Sequence, residues 1–163
     1  MSKERKGCIL AVRMRGSAGL RHQVESILTR LGLTRRNQAI LLQDTPEARG
    51  TLMRLKDTIF WAEASEEILT SILTSRSKVS GLGRLTDAEV RKRFGVENIK
   101  ALAKSLTSGD LKPQELRRRG LSTKFNLHPP KGGLRGSLKD PSGRGGEVGY
   151  RGESFKEVVE RMI

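Results

Sequence analysis

The sequence predicts an α+β fold, in which a small sheet carries two helices on one face and is followed by further helices and a basic, glycine-rich extension. Three observations predict it. Over residues 7–64 the apolar positions switch repeatedly between two-residue and helical spacing. Only 35% of the 163 residues are hydrophobic and 4% aromatic, which suits one small core. Nine of the 18 glycines fall between Gly120 and Gly152, where large apolar residues are sparse.

Gly7 to Arg15 reads as the first strand. Cys8, Leu10, Val12 and Met14 share one face, and Ile9, Ala11, Arg13 and Arg15 share the other. Helices laid on the first face would leave Arg13 and Arg15 pointing off an open side. Gly16-Ser17-Ala18-Gly19 breaks the strand. Leu20, Val24, Ile27, Leu28 and Leu31 then recur at helical spacing, and Gly32 is a natural stop. Ala39 to Leu42 is an apolar run of strand length, closed by Asp44-Thr45-Pro46. Ala48, Thr51, Leu52 and Leu55 line one face of a second helix, with Pro46 in its opening turn, where a missing N–H costs nothing. Gly50, on the first turns of that helix, is read as a point where another backbone approaches closely. Ile59 to Ala62 supplies the third strand. Residues 1–64 are therefore expected to form a strand-helix-strand-helix-strand unit, a three-stranded sheet of the ferredoxin-like kind with both helices on one face.

Residues 65–110 are expected to be helical. Ser65 can cap a helix that turns Ile68, Leu69, Ile72 and Leu73 inward. Thr86-Asp87-Ala88-Glu89 is a capping box, and Ile99, Leu102, Ala103 and Leu106 mark a third helix. Residues 111–163 form the Arg/Gly-rich C-terminal extension. Its stretch 112–151 holds ten basic and three acidic residues and too few large apolar ones to offset its ordering entropy. It is expected to be irregular alone and ordered against phosphate. Ser154-Phe155-Lys156-Glu157 reads as a capping box opening a last helix.

The chain carries 32 Lys and Arg against 18 Asp and Glu, a formal net charge of +14 with a pI near 10.7. That excess points to a polyanion, because cationic side chains gain affinity by displacing counterions condensed on phosphates. No stretch approaches a membrane span, and Met1 to Gly7 has no apolar signal run behind it, so a cytosolic protein without a membrane partner is expected. One cysteine and two histidines cannot assemble a metal cluster of the usual N and S ligands, and no cofactor is implied. Cys8 reads as a small hydrophobe and His22 as a helical surface residue. The glycines from Gly132 to Gly149 lack the G-K-[ST] close of a nucleotide loop. An RNA-processing or RNA-modifying enzyme would need a catalytic partner for His128 or Cys8, and none is legible. An architectural DNA-binding protein is the other class to weigh, and preference for folded A-form RNA over duplex DNA separates the two.

The candidate RNA contacts are cations placed in loops or off the sheet. Arg13 and Arg15 lie on the face read as open. Arg35-Arg36-Asn37 fills the loop before the second strand, and Arg49 lies on the second helix. Arg117-Arg118-Arg119 and Lys124 follow Lys112-Pro113. His128, Lys131, Arg135, Arg144 and Arg151 are spread along the extension. Phe125 and Tyr150 are the only aromatics in the basic stretch, which favours recognition of backbone and shape over base stacking.

Two motifs carry a resemblance. Leu31 to Gln38 (LGLTRRNQ) followed by Asp44 to Gly50 (DTPEARG) resembles the signature of the large-subunit ribosomal protein L-thirty family, called L-seven in eukaryotes. Lys124 to Gly133 (KFNLHPPKGG) is similar to a stretch of the longer archaeal and eukaryotic members. Eukaryotic members carry a long basic N-terminal extension, whereas here Met1 to Lys6 precede the first strand, so the resemblance is to the archaeal type. It implies a structural constituent of the large ribosomal subunit, cytoplasmic and without enzymatic activity. Such a protein binds and stabilises large-subunit ribosomal RNA during assembly and translation, near the 5S RNA region in the longer members, beside neighbouring ribosomal proteins. Residues 78–93 match nothing in that family pattern.

Overall fold

The computed structural model describes residues 7–163; the polar lead 1–6, part of the start read as lacking a signal run, lies outside the described residues. The first unit is β1 (Cys8–Arg13), α1 (His22–Leu31), β2 (Gln38–Gln43), α2 (Pro46–Arg54) and β3 (Ile59–Glu63). β1 is central and antiparallel to both neighbours, with Leu10 opposite Leu41 on one side and Ala62 on the other. Gly32 ends α1 in the left-handed region at φ 78°, and the Leu33 N–H closes the turn on the Leu28 carbonyl at 2.8 Å. Pro46 opens α2 behind Thr45, whose Oγ1 accepts from the Ala48 N–H at 3.1 Å. Fold class and element order follow the sequence reading.

The layering differs from it. α1 and α2 pack on the face of Ile9, Ala11, Ile40, Ile59 and Trp61. The opposite face, with Cys8, Leu10, Val12 and Met14, is covered by α3 (Glu66–Arg76), α5 (Ile99–Ser108) and the last helix, α7 (Ser154–Met162). No face of β1 is open, and all six of its residues are buried. The physical reason is legible in retrospect: Ile9 and Ala11 are as apolar as Leu10 and Val12, and a strand apolar on both faces is a central strand covered twice. Arg13 consequently lies under α1 with 0% exposure. Its Nη1 donates to the Leu33 carbonyl at 2.7 Å and its Nε to the Arg15 carbonyl at 2.8 Å, while Nη2 pairs with Glu25 Oε2 at 3.2 Å.

The rest of the middle region is β4 (Lys78–Val79), β5 (Gly83–Arg84) and α4 (Asp87–Phe94), and the extension opens with α6 (Pro113–Arg118). The extension, expected to be irregular, lays strands on both edges of the sheet. β6 (Lys124–Asn126) pairs antiparallel with β2, placing Phe125 opposite Ala39. On the far side β8 (Gly146–Tyr150) pairs parallel with β3 and with β7 (Ser137–Pro141), completing the order β6-β2-β1-β3-β8-β7. Glycine here serves close packing: a Cβ on Gly146 would fall 1.6 Å from the Asp140 carbonyl oxygen. α7 returns Phe155, Val158, Val159 and Met162 to the chain's own core. Ser154 is the first residue of that helix and does not cap it; its Oγ accepts from Arg151 Nε at 3.3 Å. Among the described residues no helix is long and apolar enough to cross a membrane.

Replacing Arg13 with Met should destabilise the protein by roughly 2–4 kcal/mol, because the buried Leu33 carbonyl loses its donor. Arg15→Gln, nearer the surface, should cost less than about 0.5 kcal/mol. Urea denaturation checks both; equal and small effects would return Arg13 to an open face.

Candidate nucleic-acid interface

The end of α1, the β4–β5 hairpin and the connection from α6 into β6 enclose a groove of about 640 Å³. Four cations line it: Arg30, Lys78, Arg117 and Lys124. Arg30 stands in the last turn of α1, and Arg117 in the last turn of α6, whose start is set by Pro113. Lys78 is held by backbone pairing of the hairpin to the chain before β6, with Ser122 N–H on the Lys78 carbonyl at 3.1 Å and Ser80 N–H on the Gly120 carbonyl at 2.9 Å. Lys124 leaves β6 opposite Ile40 and runs across Gly32, where a Cβ would fall 2.6 Å from the lysine Cδ. No carboxylate lines the groove, and among the described residues none of the four cations makes an ion pair. Like charges gathered without a counterion repel one another, and a polyanion relieves that repulsion.

The structure brings Arg117 and Lys124 together in this groove and distributes the other expected contacts. Arg118 is exposed beside it. Arg119 interlocks with Arg93, each guanidinium donating to the other's carbonyl, at 2.8 and 2.7 Å, and it lies over the Phe94 ring. At the end of the sheet, Arg36 Nε donates to the Met14 carbonyl at 3.1 Å and Arg15 Nη1 to the Asp57 carbonyl at 3.5 Å. Asn37 turns the chain there at φ 63°, and Arg35 is exposed. His128 and Lys131 are displayed on a loop fastened to the end of α7, through His128 N–H on the Met162 carbonyl at 2.9 Å and Lys131 N–H on the Arg161 carbonyl at 3.1 Å. Arg135 pairs with Glu157 at 3.1 Å on the surface, and Arg144 is exposed without a partner among the described residues.

Three expected contacts are committed to carboxylates of the protein itself. Arg13 is described above. Arg151 is buried, ion-paired with buried Glu147, and its guanidinium lies 5.7 Å from the Phe60 ring centre. Arg49 is held by Asp44 and Glu63, each at 2.6 Å. Its hydrogen bond to Asp44 raises its pKa, with Glu63 adding to the effect against a smaller opposing influence of burial. Burial alone would raise Glu63, but the hydrogen bonds from Arg49 and Tyr150 outweigh it and hold the carboxyl below its ordinary value. Each of these arginines has its carboxylate supplied by folding, a pairing that charge counting along the chain does not reveal. Conversely, Arg30 and Lys78 escaped the sequence reading. The position of Arg30 in the last helical turn, two residues before Gly32, was an available signal, whereas Lys78 reaches the groove only through tertiary strand pairing.

Neither Cys8 nor a histidine lines the groove. Cys8 donates its S–H to the Leu106 carbonyl at 3.3 Å, and burial, with Asp44 nearby, pushes its pKa up to about 12, so it is no nucleophile. His22 is exposed at the start of α1. Among the described residues no group of three His, Cys, Asp or Glu could hold a metal ion.

A family model described as ribosomal protein L30p/L7e matches residues 9–59. Large ribosomal subunit protein uL30 of Methanobrevibacter smithii is 36% identical over 157 residues, covering 94% of this chain and 99% of the relative. Its counterpart in Ignicoccus hospitalis is 34% identical over 161 residues, covering 97% and 99%. That of Methanopyrus kandleri is 32% identical over 151 residues, covering 92% and 100%. The matches to these three relatives, unlike that to the family model, reach into the extension as well as the first unit.

Gly32→Ala tests the groove's construction. The new methyl must adopt the left-handed region and displace Lys124, so stability should fall by about 1–2 kcal/mol. Amine acylation of the free protein, read by mass spectrometry, should show changed reactivity at Lys124 and not at Lys104 on α5. Unchanged Lys124 reactivity would mean that Gly32 does not set its position.

Proposed function

The chain belongs to the L30p/L7e family of ribosomal proteins, a structural component of the large ribosomal subunit and not an enzyme, and on that footing we propose that it binds and stabilises large-subunit ribosomal RNA through the groove between α1, the β4–β5 hairpin and β6. The observation that carries the reading is the set of four cations without a counterion: Arg30, Lys78, Arg117 and Lys124. Folded RNA supplies closely spaced phosphates in a fixed array, and rigid backbone pairing around Lys78 and Lys124 lowers the entropy lost when they are aligned with it. The exposed cations Arg35, Arg118, Lys131 and Arg144, with Arg15, Arg36, Asn37, Arg119, Arg135 and His128, are proposed as further backbone contacts in the assembled cytoplasmic subunit. The 5S RNA region and neighbouring large-subunit proteins are the surroundings that the resemblance points to.

Sedimentation tests this reading, with the chain expected to comigrate with the large subunit at moderate salt. Changing Lys78, Arg117 and Lys124 together to Gln should leave folding intact and lower the salt dependence of binding to transcribed large-subunit RNA. The slope of log K against log salt should fall by about 0.7–0.9 for each phosphate that is no longer neutralised. An unchanged slope would remove the groove from the interface.

A further inference from the structure

The outer seam between α1 and α2 is not absorbed by that groove. Three depressions follow it, and Arg54 lines all of them. Arg21 lines two, at the start of α1, and Arg30 lines another two near its end. Arg30 and Leu31 also belong to the edge groove, so the seam and the groove are continuous surfaces joined at the end of α1. The nine-residue step from Arg21 to Arg30 sets their backbone positions about 14 Å apart along the helix. Among the described residues neither Arg21, Arg30 nor Arg54 makes an ion pair or hydrogen bond through its side chain, and Asp57 is the one acidic residue lining the depressions.

A second observation concerns the same helix face. Gly50 precedes Arg54 by one helical turn, inside α2, and a Cβ built there meets nothing within 4 Å. Glycine is the poorest helix former after proline, and no neighbour in the protein requires it at this position. Its absent side chain leaves room beside Arg54 for something outside the protein to come close.

We propose that the α1–α2 seam continues the edge groove as one cationic track, in which Arg21 and Arg54 hold phosphates of the same RNA segment gripped by Arg30, Lys78, Arg117 and Lys124. The proposal rests on the reading of the groove as an RNA site. An RNA backbone fits better than an acidic protein face, because the depressions that hold these cations run on from the groove through shared lining residues. Open space at Gly50 suits the near approach of a ribose-phosphate chain.

The test uses the full chain and transcribed large-subunit ribosomal RNA at several salt concentrations. Arg21→Gln with Arg54→Gln should keep the melting temperature and lower the salt slope by about 1.4–1.8, the change expected when two phosphates go without a cation. Gly50→Gln should raise the melting temperature while weakening RNA binding. If the arginine pair leaves the slope unchanged while the Lys78, Arg117 and Lys124 variant lowers it, the seam is outside the RNA site and this proposal fails alone. If neither variant lowers the slope, the groove reading fails and takes the track with it. If the arginine variant binds RNA normally yet is excluded from reconstituted subunits, the seam contacts a protein and the assignment to RNA is overturned.

Discussion

Strand β1 is buried from Cys8 to Arg13, and that constraint decides what the other elements must supply. A central strand shielded on both faces needs a helical layer on each side. α1 and α2 provide one, and α3, α5 and α7 the other. It also needs both flanking strands paired. The extension meets that demand by adding β6 beyond β2 and β8 beyond β3. The C-terminal third is thus part of the same folded body as the first 64 residues, and removing it would take β6 from the edge of β2 and Phe155 from the Phe60 ring, whose centres lie 5.4 Å apart. Arg13 completes the arrangement, because its guanidinium satisfies the carbonyls of Leu33 and Arg15 where the α1 layer closes over the strand.

Cations in this chain divide by the company that folding gives them. Arg13, Arg49 and Arg151 meet Glu25, the Asp44 and Glu63 pair, and Glu147. Removing a charge from water is expensive, so Arg13 and Arg151 are retained inside only with a carboxylate and further hydrogen bonds, while Arg49 is held by two carboxylates nearer the surface. Arg30, Arg54, Lys78, Arg117 and Lys124 receive no such partner among the described residues, and they gather around α1. Net charge alone points toward a polyanionic partner. Its division between fastening and display locates the face proposed to meet RNA.

Much of the fold was legible because the first 64 residues alternate cleanly between two periods and carry proper stops at Gly32 and Thr45-Pro46. The face of β1 was misassigned because its two arginines at positions 13 and 15 looked like an outward set, although Ile9 and Ala11 shared that side. β6, β7 and β8 were invisible for a different reason. Glycines weaken the strand pattern around β7 and β8, and the purpose of Gly136 and Gly146, letting backbones touch, exists only in three dimensions. Of the candidate site, Arg117 and Lys124 could be read from local charge and chain breakers. Lys78 could not, since two-residue pairing with the chain before β6 is what aims it.

The central claim, that the α1-side groove faces RNA, is tested most directly by lysine acylation of the chain free and within intact large subunits. Lys78 and Lys124 should react in the free protein and be protected in the subunit. Protection should survive removal of loosely bound proteins by salt and disappear on digestion with ribonuclease. Equal reactivity of both lysines in the two states would contradict the account.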